Sequence, residues 1–146
     1  MEQRARNPEL AAFDVLIGEW TTEATHPMFP STVVRGRTTY EWLEGEQFLI
    51  QRSSNDNPDF PDSISVVGFA DDELAAHYFD SRGVARVYRI AMEGDTLRLW
   101  RDHPGFSQRL EAELSDDGAT LAGVWQLSRD DETWNDDLAI TFRRNG

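Results

Sequence analysis

The sequence predicts an all-β protein, a closed antiparallel up-and-down barrel of about ten strands with a short N-terminal helix capping one end. Three observations support this fold class. Strand-like runs are separated by turn-forming residues at intervals near ten residues. Their connections are too short for parallel crossovers, so consecutive strands must pair antiparallel. Trp20 and the late arginines Arg143 and Arg144 would meet where the first and last strands of a closed barrel pair.

Length and composition are consistent with one folded domain over residues 1–146. Hydrophobic residues make up 39% of the chain and aromatic residues 11%, which is too much apolar surface for a disordered protein. A chain of this size buries roughly two-thirds of its unfolded surface on folding. We therefore expect one barrel with one core.

The first element is a helix that begins at Asn7, Pro8 and Glu9. These residues provide a capping side chain, a proline at the first helical position and an acidic residue in the first turn. Apolar residues then recur at helical spacing, which predicts a helix from Pro8 to about Leu16. We expect its apolar stripe, Leu10, Phe13, Leu16 and Ile17, to plug one mouth of the barrel.

Ten strands follow the helix. Their predicted ranges are 19–26, 32–43, 47–52, 63–71, 74–80, 84–92, 96–101, 106–114, 120–128 and 134–143. Two connections are longer than tight turns, residues 27–31 with Met28 and Phe29 between prolines, and residues 53–61 with Phe60. Long loops in compact domains are often lids or binding loops, although a solvated loop that packs on the rim fits residues 53–61 equally well.

Alternation assigns faces to several strands. In the second strand Val34, Gly36, Thr38, Tyr40 and Trp42 should face inward, because the intervening residues include the charged side chains. In the ninth strand Leu121, Gly123, Trp125 and Leu127 share the inner face. In the sixth strand Arg86 lies with Tyr88 and Ile90, and Arg89 lies with Val87. Either arginine could point inward.

The charge balance bears on partners and location. The chain has 27 acidic and 14 basic residues and a net charge of −13, which repels nucleic acids and anionic membranes, so we expect neither as a partner.

Thiol chemistry is excluded because there is no cysteine. The first six residues lack an apolar run, from which we expect no secretion signal and a cytoplasmic location. A monomer and a homodimer are both compatible with the sequence.

No catalytic, metal or cofactor motif is recognisable. His77 and Tyr78 lie on opposite faces of one strand, so they cannot both line a cavity. The three histidines, His26, His77 and His103, show no metal-binding spacing. A nucleophile elbow and a glycine-rich phosphate loop are also missing. We therefore expect no metal and no cofactor.

The segment Leu16-Ile17-Gly18-Glu19-Trp20 contains a Gly-x-Trp motif. Together with the late arginine, this motif resembles the calycin superfamily of lipocalins, fatty-acid-binding proteins and avidins. Segments 16–20, 36–45, 77–87, 106–109 and 134–144 are similar to a bacterial family of lipocalin-like barrels of unknown function. The resemblance implies a barrel with an interior for a small molecule.

A second resemblance concerns haem. The segment Pro30-Ser31-Thr32 and the strand that follows it to Glu41 and Trp42 look like the early part of nitrobindin-like haem barrels. Those barrels bind iron through a histidine near the end of the last strand, whereas residues 136–144 contain none. Haem binding would therefore need His26, His77 or His103 to reach inward, which makes it a minor alternative.

The leading hypothesis is that a small hydrophobic or aromatic molecule binds inside the barrel. Arg109 enters the candidate set through the resemblance of residues 106–109, although alternation places it opposite Gln108. One rival hypothesis is a cyclase or isomerase acting on a reactive hydrophobic substrate, with a tyrosine or histidine as general acid. Another is a solidly packed barrel that serves only as an interaction module. The candidate ligand-binding residues are Tyr40, Trp42, Tyr78, Tyr88, Trp100, Gln108, Arg109 and Trp125.

Trp20 is also predicted to anchor the structure. An arginine from the last strand can stack on its indole in a cation–π contact. Arg144 shares parity with the apolar Ile140 and Phe142, so we expect Arg144 to form the stack and Arg143 to face solvent.

Overall fold

A computed structural model describes residues 7–146, which form a closed ten-stranded antiparallel barrel with a short helical segment at the N-terminal side. The all-β fold class and the number of strands are confirmed. The expectation for the first six residues lies outside the described part of the chain. The strands are β1 Gly18–His26, β2 Phe29–Trp42, β3 Phe48–Asn55, β4 Ser63–Ala70, β5 Glu73–Asp80, β6 Ala85–Glu93, β7 Thr96–Arg101, β8 Ser107–Leu114, β9 Thr120–Ser128 and β10 Asn135–Arg144.

The barrel closes between its first and last strands. Each strand pairs with its neighbours in the sequence, and β1 also pairs with β10, which removes both edges of the sheet. The pairing places Trp20 opposite Arg144 and Thr22 opposite Phe142. This register places the start of β1 beside the end of β10, next to the helical segment.

The helical segment is not one α-helix. A single α-helical turn, α1 at Pro8–Ala11, continues as a 3₁₀ helix at Ala12–Leu16. Asn7 caps α1, since its Oδ1 accepts a hydrogen bond of 2.9 Å from the Glu9 backbone N–H. Leu10, Phe13 and Leu16 are spaced three residues apart, which matches the three residues per turn of a 3₁₀ helix, and all three are at most 1% exposed.

Alternation determines which side chains fill the barrel. Val34, Thr38 and Tyr40 of β2 are buried, as is Leu121 of β9, in agreement with the predicted inner faces. In β6 the inward set is Arg86 together with Tyr88, while Arg89 is exposed. The structure thereby answers the question that the sequence left open.

The two connections expected to be long are shorter in the structure. Because β1 ends at His26 and β2 begins at Phe29, residues 27–28 form a tight hairpin turn. Met28 and Phe29 are nevertheless 76% and 62% exposed. The strand β3 continues to Asn55, so the second irregular connection comprises residues 56–62.

The Gly-x-Trp motif has a structural explanation at the end closed by the helical segment. Gly18 has a φ of 131°, a backbone conformation that strongly favours glycine. A Cβ at this position would lie 3.2 Å from Nη1 of Arg144. The glycine therefore leaves room for the arginine that crosses over Trp20.

Candidate functional site

A cavity of about 270 Å³ lies inside the barrel. Its floor, at the end closed by the helical segment, includes Phe13, Leu16 and Leu49, which are at most 1% exposed. Its opposite end is lined by half-buried residues that include Phe60 and Leu138. We call this end the mouth, because partly exposed lining residues show that the cavity reaches solvent there. A barrel packed solid with side chains is not what the structure shows.

Five of the eight predicted ligand-binding residues line the cavity, and three do not. Aromatic residues are a minority of the wall, since most lining residues are aliphatic or small and polar. The five that line it are Tyr40, Tyr78, Tyr88, Gln108 and Trp125.

Three of these residues form a continuous aromatic contact across the wall. The ring centroids of Tyr78 and Tyr88 lie 6.1 Å apart at an angle of 85°, and those of Tyr88 and Trp125 lie 5.6 Å apart at 62°. Both are edge-to-face arrangements, which aromatic rings favour over direct face-to-face stacking. Tyr88 thus connects β5 to β9 through the interior.

Trp42 does not line the cavity, and its assignment there was wrong. It lies at the end of β2 near the floor, where its indole N–H donates a hydrogen bond of 2.9 Å to the Asp14 carboxylate. Its strand parity is inward as predicted. The 3₁₀ helix, however, occupies the space that the indole would otherwise face, so Trp42 packs beside the helix.

Trp100 and Arg109 also lie outside the cavity, on the outer surface of the barrel. The guanidinium of Arg89 lies 5.9 Å from the Trp100 ring, and that of Arg109 lies 3.9 Å from the Trp134 ring. Gln108 faces inward, so alternation places Arg109 outward. For Arg109 the resemblance was therefore misleading and the strand periodicity was correct.

On four of the strands the polarity of the wall changes along the barrel axis. On β3 the lining residues run from Leu49 at the floor through Gln51 and Ser53 to Asn55 at the mouth. The lining residues of β4 repeat this order, as do those of β6 and β8. The corresponding series are Val67, Ser65 and Ser63 on β4, Ile90, Tyr88 and Arg86 on β6, and Leu110 and Gln108 on β8.

A group of hydrogen bonds connects the polar residues of β6 and β8. The Tyr88 hydroxyl donates to Oε1 of Gln108 at 3.1 Å, and Nη1 of Arg86 donates to the same oxygen at 3.5 Å. The guanidinium of Arg86 also lies 5.6 Å from the Phe106 ring. Arg86 is therefore positioned at the mouth by one amide oxygen and one aromatic ring.

The opposite wall has its own polar pairs. Gln51 donates a hydrogen bond of 3.1 Å to the Tyr40 hydroxyl, and the hydroxyls of Thr38 and Ser53 are 2.8 Å apart. Burial raises the pKa of Tyr40 well above its usual value, so the phenol keeps its proton at neutral pH. These groups can supply hydrogen bonds to a bound molecule, but Tyr40 is unsuited to donate its proton as an acid.

Tyr78 reaches a carboxylate at the rim of the mouth. Its hydroxyl donates a hydrogen bond of 2.7 Å to Asp80, which also accepts hydrogen bonds from the Arg82 side chain and from the Arg82 and Val84 backbone N–H groups. Hydrogen bonding from Arg82 holds the pKa of Asp80 well below its usual range. Burial and the neighbouring carboxylate raise the pKa of Tyr78. Asp80 thus shapes the β5–β6 turn.

Asp137 is the other charged residue in the wall besides Arg86. It follows Asp136, where the pairing of β10 with β9 shifts register, a bulge of the kind that redirects side chains. Its carboxylate lies 3.1 Å from Nε2 of His26. The Nδ1 atom of His26 accepts a hydrogen bond of 3.1 Å from the Met28 N–H. The charge of Asp137 is therefore already engaged at the rim.

Residues 56–62 cover part of the mouth. Phe60 and Pro61 line the cavity, and the Asn55 side chain donates a hydrogen bond of 2.8 Å to the Pro61 carbonyl. Asp62 accepts a hydrogen bond from the Asn55 backbone N–H and donates one from its own N–H to the Ser81 hydroxyl. The connection is therefore attached both to β3 and to the β5–β6 turn.

The sequence interpretation left the facing of Arg86 undecided and did not name Gln51 as a wall residue. For Arg86 the signal was its shared parity with Tyr88 and Ile90, which are both buried. For Gln51 the signal was its parity with Leu49, which is fully buried. In both cases a polar residue that shares a strand face with a buried apolar residue contacts the cavity.

The histidines do not support haem or metal binding. None of the three histidines is among the cavity-lining residues, so none is placed to bind an iron atom held there. Across residues 7–146 no cluster of three or more histidine, aspartate or glutamate side chains could hold a metal ion. In the same part of the chain, no helix is long and apolar enough to cross a membrane.

Comparisons with known proteins reveal the fold and no close relative. No family model and no curated protein matches the sequence significantly. The crystal structure of Rv2717c from M. tuberculosis is similar, with a TM-score of 0.68 and 14% identity over 97% of this chain and 100% of that chain. A crystal structure of zebrafish ileal bile acid-binding protein complexed with cholic acid has a TM-score of 0.55 and 13% identity, over 90% and 100% of the two chains.

These similarities agree with the closed ten-stranded antiparallel barrel described above. At 13–14% identity they concern the fold and not the activity. The predicted likeness to lipocalins and fatty-acid-binding proteins is confirmed at that level. The chain has a calycin-like fold.

Proposed function

We propose that the protein binds a small, largely apolar molecule inside its barrel. The observation that carries this proposal is the cavity of about 270 Å³, which is closed at one end and reaches solvent at the other. A folded barrel of this size loses packing energy by leaving such a space unfilled. A bound molecule would recover those contacts.

The size and lining of the cavity describe the ligand further. Small-molecule sites are typically clefts of roughly 300–1,000 Å³ with apolar walls and a few directed polar groups. This cavity lies near the lower limit, so it suits a compact molecule better than a long lipid. The similarity to a barrel crystallised with cholic acid adds support from the fold alone.

The cyclase or isomerase alternative has weaker support. It requires an acid or base directed into the cavity. Tyr40 and Tyr78 line the cavity, but their raised pKa values make them hydrogen-bond donors that retain their protons. Binding without chemistry is therefore the function that the wall favours.

The test is binding of a neutral fluorescent probe, N-phenyl-1-naphthylamine, measured by its emission on titration with protein. Ser65 lines the cavity, and Ile64 precedes it on β4 with the opposite facing. We expect Ser65→Phe to fill the space and weaken probe binding by about tenfold or more, equivalent to about 1.4 kcal/mol. Ile64→Phe is the matched control and should bind like the wild type.

Equal probe affinity in both variants, or no binding to the wild type, would contradict an internal site. Native mass spectrometry of the protein purified from its own source provides the complementary measurement. We expect a retained small mass, and that mass would identify the ligand directly.

A further inference from the structure

We propose that the ligand is an anionic amphiphile with a single carboxylate group, which Arg86 binds at the mouth while the apolar part lies on the floor. This inference rests on the proposed function and specifies the chemical class of the ligand. Three observations carry it: the unpaired charge of Arg86, the polarity gradient of the wall, and the hydrogen bonds that orient the guanidinium.

The first observation concerns how this protein uses its arginines. Within residues 7–146, seven arginines form ion pairs with aspartate or glutamate, and Arg86 forms none. In a chain with a net charge of −13, carboxylates are abundant. Two other half-buried arginines, Arg101 and Arg144, also lack a carboxylate, but both donate to backbone carbonyls. Arg86 differs from them because its hydrogen bond is a single long one to the Gln108 side chain, and a desolvated charge needs a partner. The seven paired residues are Arg35, Arg37, Arg52, Arg82, Arg89, Arg98 and Arg143.

The second observation is the polarity gradient from the floor to the mouth. On β3, β4, β6 and β8 the lining residues nearest the floor are aliphatic, and polar residues begin at the level of Tyr88 and Gln108. A uniformly apolar ligand would leave the groups near the mouth without partners. An amphiphile whose polar end lies at the mouth satisfies both halves of the wall.

The third observation is the orientation of Arg86. Gln108 accepts one hydrogen bond from Nη1, and Phe106 lies against the guanidinium. A guanidinium has five N–H donors in a planar fork that matches the two oxygens of a carboxylate. Most of the donors of Arg86 remain available. The Tyr88 hydroxyl and the Gln108 amide lie beside it and can add hydrogen bonds to the same group.

The competing acidic groups do not remove this preference. Asp137 also lines the cavity, but its carboxylate is paired with His26 at 3.1 Å. Asp80 at the rim is engaged by Arg82 and Tyr78. Arg86 is the one cation among the described lining residues, and it forms no ion pair with a carboxylate.

The experiment compares decanoate with decanol as competitors for bound N-phenyl-1-naphthylamine at pH 7.5. The two compounds share a chain length and differ in the head group. A hydrogen-bonded charge pair typically contributes enough for about a tenfold or greater difference in affinity. We expect decanoate to bind at least that much more tightly to the wild type, which needs no variant to fold.

Variants on β6 then assign the preference to one residue. Arg86→Gln should lower the ratio of decanoate affinity to decanol affinity, measured within the same variant, to about one. Arg89→Gln removes an outward-facing charge from the same strand and should keep the wild-type preference.

The outcomes separate this inference from the proposed function. If the probe and decanol bind but decanoate binds no better, or if Arg86→Gln retains the preference, the carboxylate site is wrong and the cavity proposal stands. If neither the probe nor decanol binds, the proposed function itself fails. Octyl sulfate as a third competitor tests head-group chemistry, and binding as tight as that of decanoate would overturn the specificity for carboxylate.

Discussion

The two ends of the barrel use the same residue type in opposite ways. At the floor, Arg144 lies 4.2 Å from the centroid of the Trp20 ring and donates hydrogen bonds to the carbonyls of Val15, Ile17 and Gly118. At the mouth, Arg86 has one long hydrogen bond and no carboxylate partner among the described residues. All three nitrogens of the Arg144 guanidinium donate to backbone carbonyls, whereas the Arg86 guanidinium retains most of its donors for a ligand.

The difference indicates where this barrel keeps its stability and where it can change. The floor combines fully buried apolar side chains with Arg144, whose three nitrogens are all hydrogen-bonded. A substitution there therefore removes several contacts at once. The mouth consists of half-buried polar residues whose contacts are local. Substitutions at the floor should therefore affect unfolding most, and substitutions at the mouth should affect binding most.

The largest effect is expected for Trp20→Ala. Trp20 is fully buried, and its indole N–H donates a hydrogen bond of 2.9 Å to the Leu16 carbonyl, which connects β1 to the 3₁₀ helix. Truncating a large buried aromatic typically costs about 3–5 kcal/mol in the free energy of unfolding. Urea unfolding measures this loss. The half-buried Trp100→Ala on the outer surface serves as the control, and a Trp20→Ala protein as stable as the wild type would disprove the anchor.

A smaller loss of about 1–3 kcal/mol is expected for Arg144→Ala, because three backbone carbonyls lose a charged donor. Arg143→Ala is the matched control from the adjacent position. Arg143 forms an exposed ion pair of 3.5 Å with Glu23, and such pairs contribute only about 0–1 kcal/mol. Thermal melts of both variants at equal concentration make the comparison. If both substitutions lower the melting temperature equally, the stack over Trp20 and the carbonyl hydrogen bonds of Arg144 contribute no more to stability than an exposed ion pair does.

At the mouth, Asp80→Asn tests a stability contribution that depends on pH. The folded-state pKa of Asp80 is lowered from its ordinary value of 3.8, mainly by hydrogen bonding from Arg82. A lowered pKa stabilises the folded state above the unfolded pKa, and this stability is lost as the pH falls through the folded pKa. We expect the variant to lose about 1–2 kcal/mol at pH 7. The difference from the wild type should shrink as the pH falls below about 4.

Urea unfolding at pH 7 and pH 3 provides the measurement for Asp80→Asn. The exposed Asp116→Asn removes the same charge from a turn at the other end, so it separates the hydrogen bonds of Asp80 from the effect of net charge. A stability difference that is the same at both pH values would contradict the role given to the Asp80 carboxylate.

Most of the fold was predictable because strand alternation and turn chemistry are local. The ten strands and their antiparallel pairing follow from the turn residues and the short connections. The choice of Arg144 over Arg143 follows from the alternation of side chains along the last strand and from the closure of the barrel between its first and last strands. The extent of β3 was not predictable, since Ser53, Ser54 and Asn55 are turn-forming residues that here continue a strand paired with β2. Hydrogen-bonded pairing with β2 outweighs the local preference of these three residues for a turn.

The site was only partly predictable, and the errors share a cause. Trp100 was assigned to the cavity for its residue type, although Leu97 and Leu99 on β7 show that its parity is outward. Trp42 has inward parity but lies beside the 3₁₀ helix, whose packing no strand pattern reveals. Arg86 was left undecided because a charged side chain on an inner face conflicts with burial. Alternation was the better guide wherever it disagreed with residue type.

The smallest effect is expected for the surface stack of Arg109 on Trp134, which tests whether distance or burial sets the strength of such a contact. Its guanidinium lies 3.9 Å from the ring centroid, slightly closer than the 4.2 Å of Arg144 over Trp20. Arg109 is exposed, however, whereas Trp20 is fully buried. Cation–π contacts are worth about 0.5–1 kcal/mol at exposed sites and about 2 kcal/mol or more when desolvated.

Double-mutant cycles on the two pairs measure the coupling directly. We expect a coupling of at most about 1 kcal/mol for Arg109→Ala with Trp134→Ala, and about twice that for Arg144→Ala with Trp20→Phe. The phenylalanine keeps the second pair folded while weakening its attraction for the cation. If the surface pair couples as strongly as the buried one, the distance to the ring determines the interaction energy. Burial at the floor would then add nothing to the contact between Arg144 and Trp20.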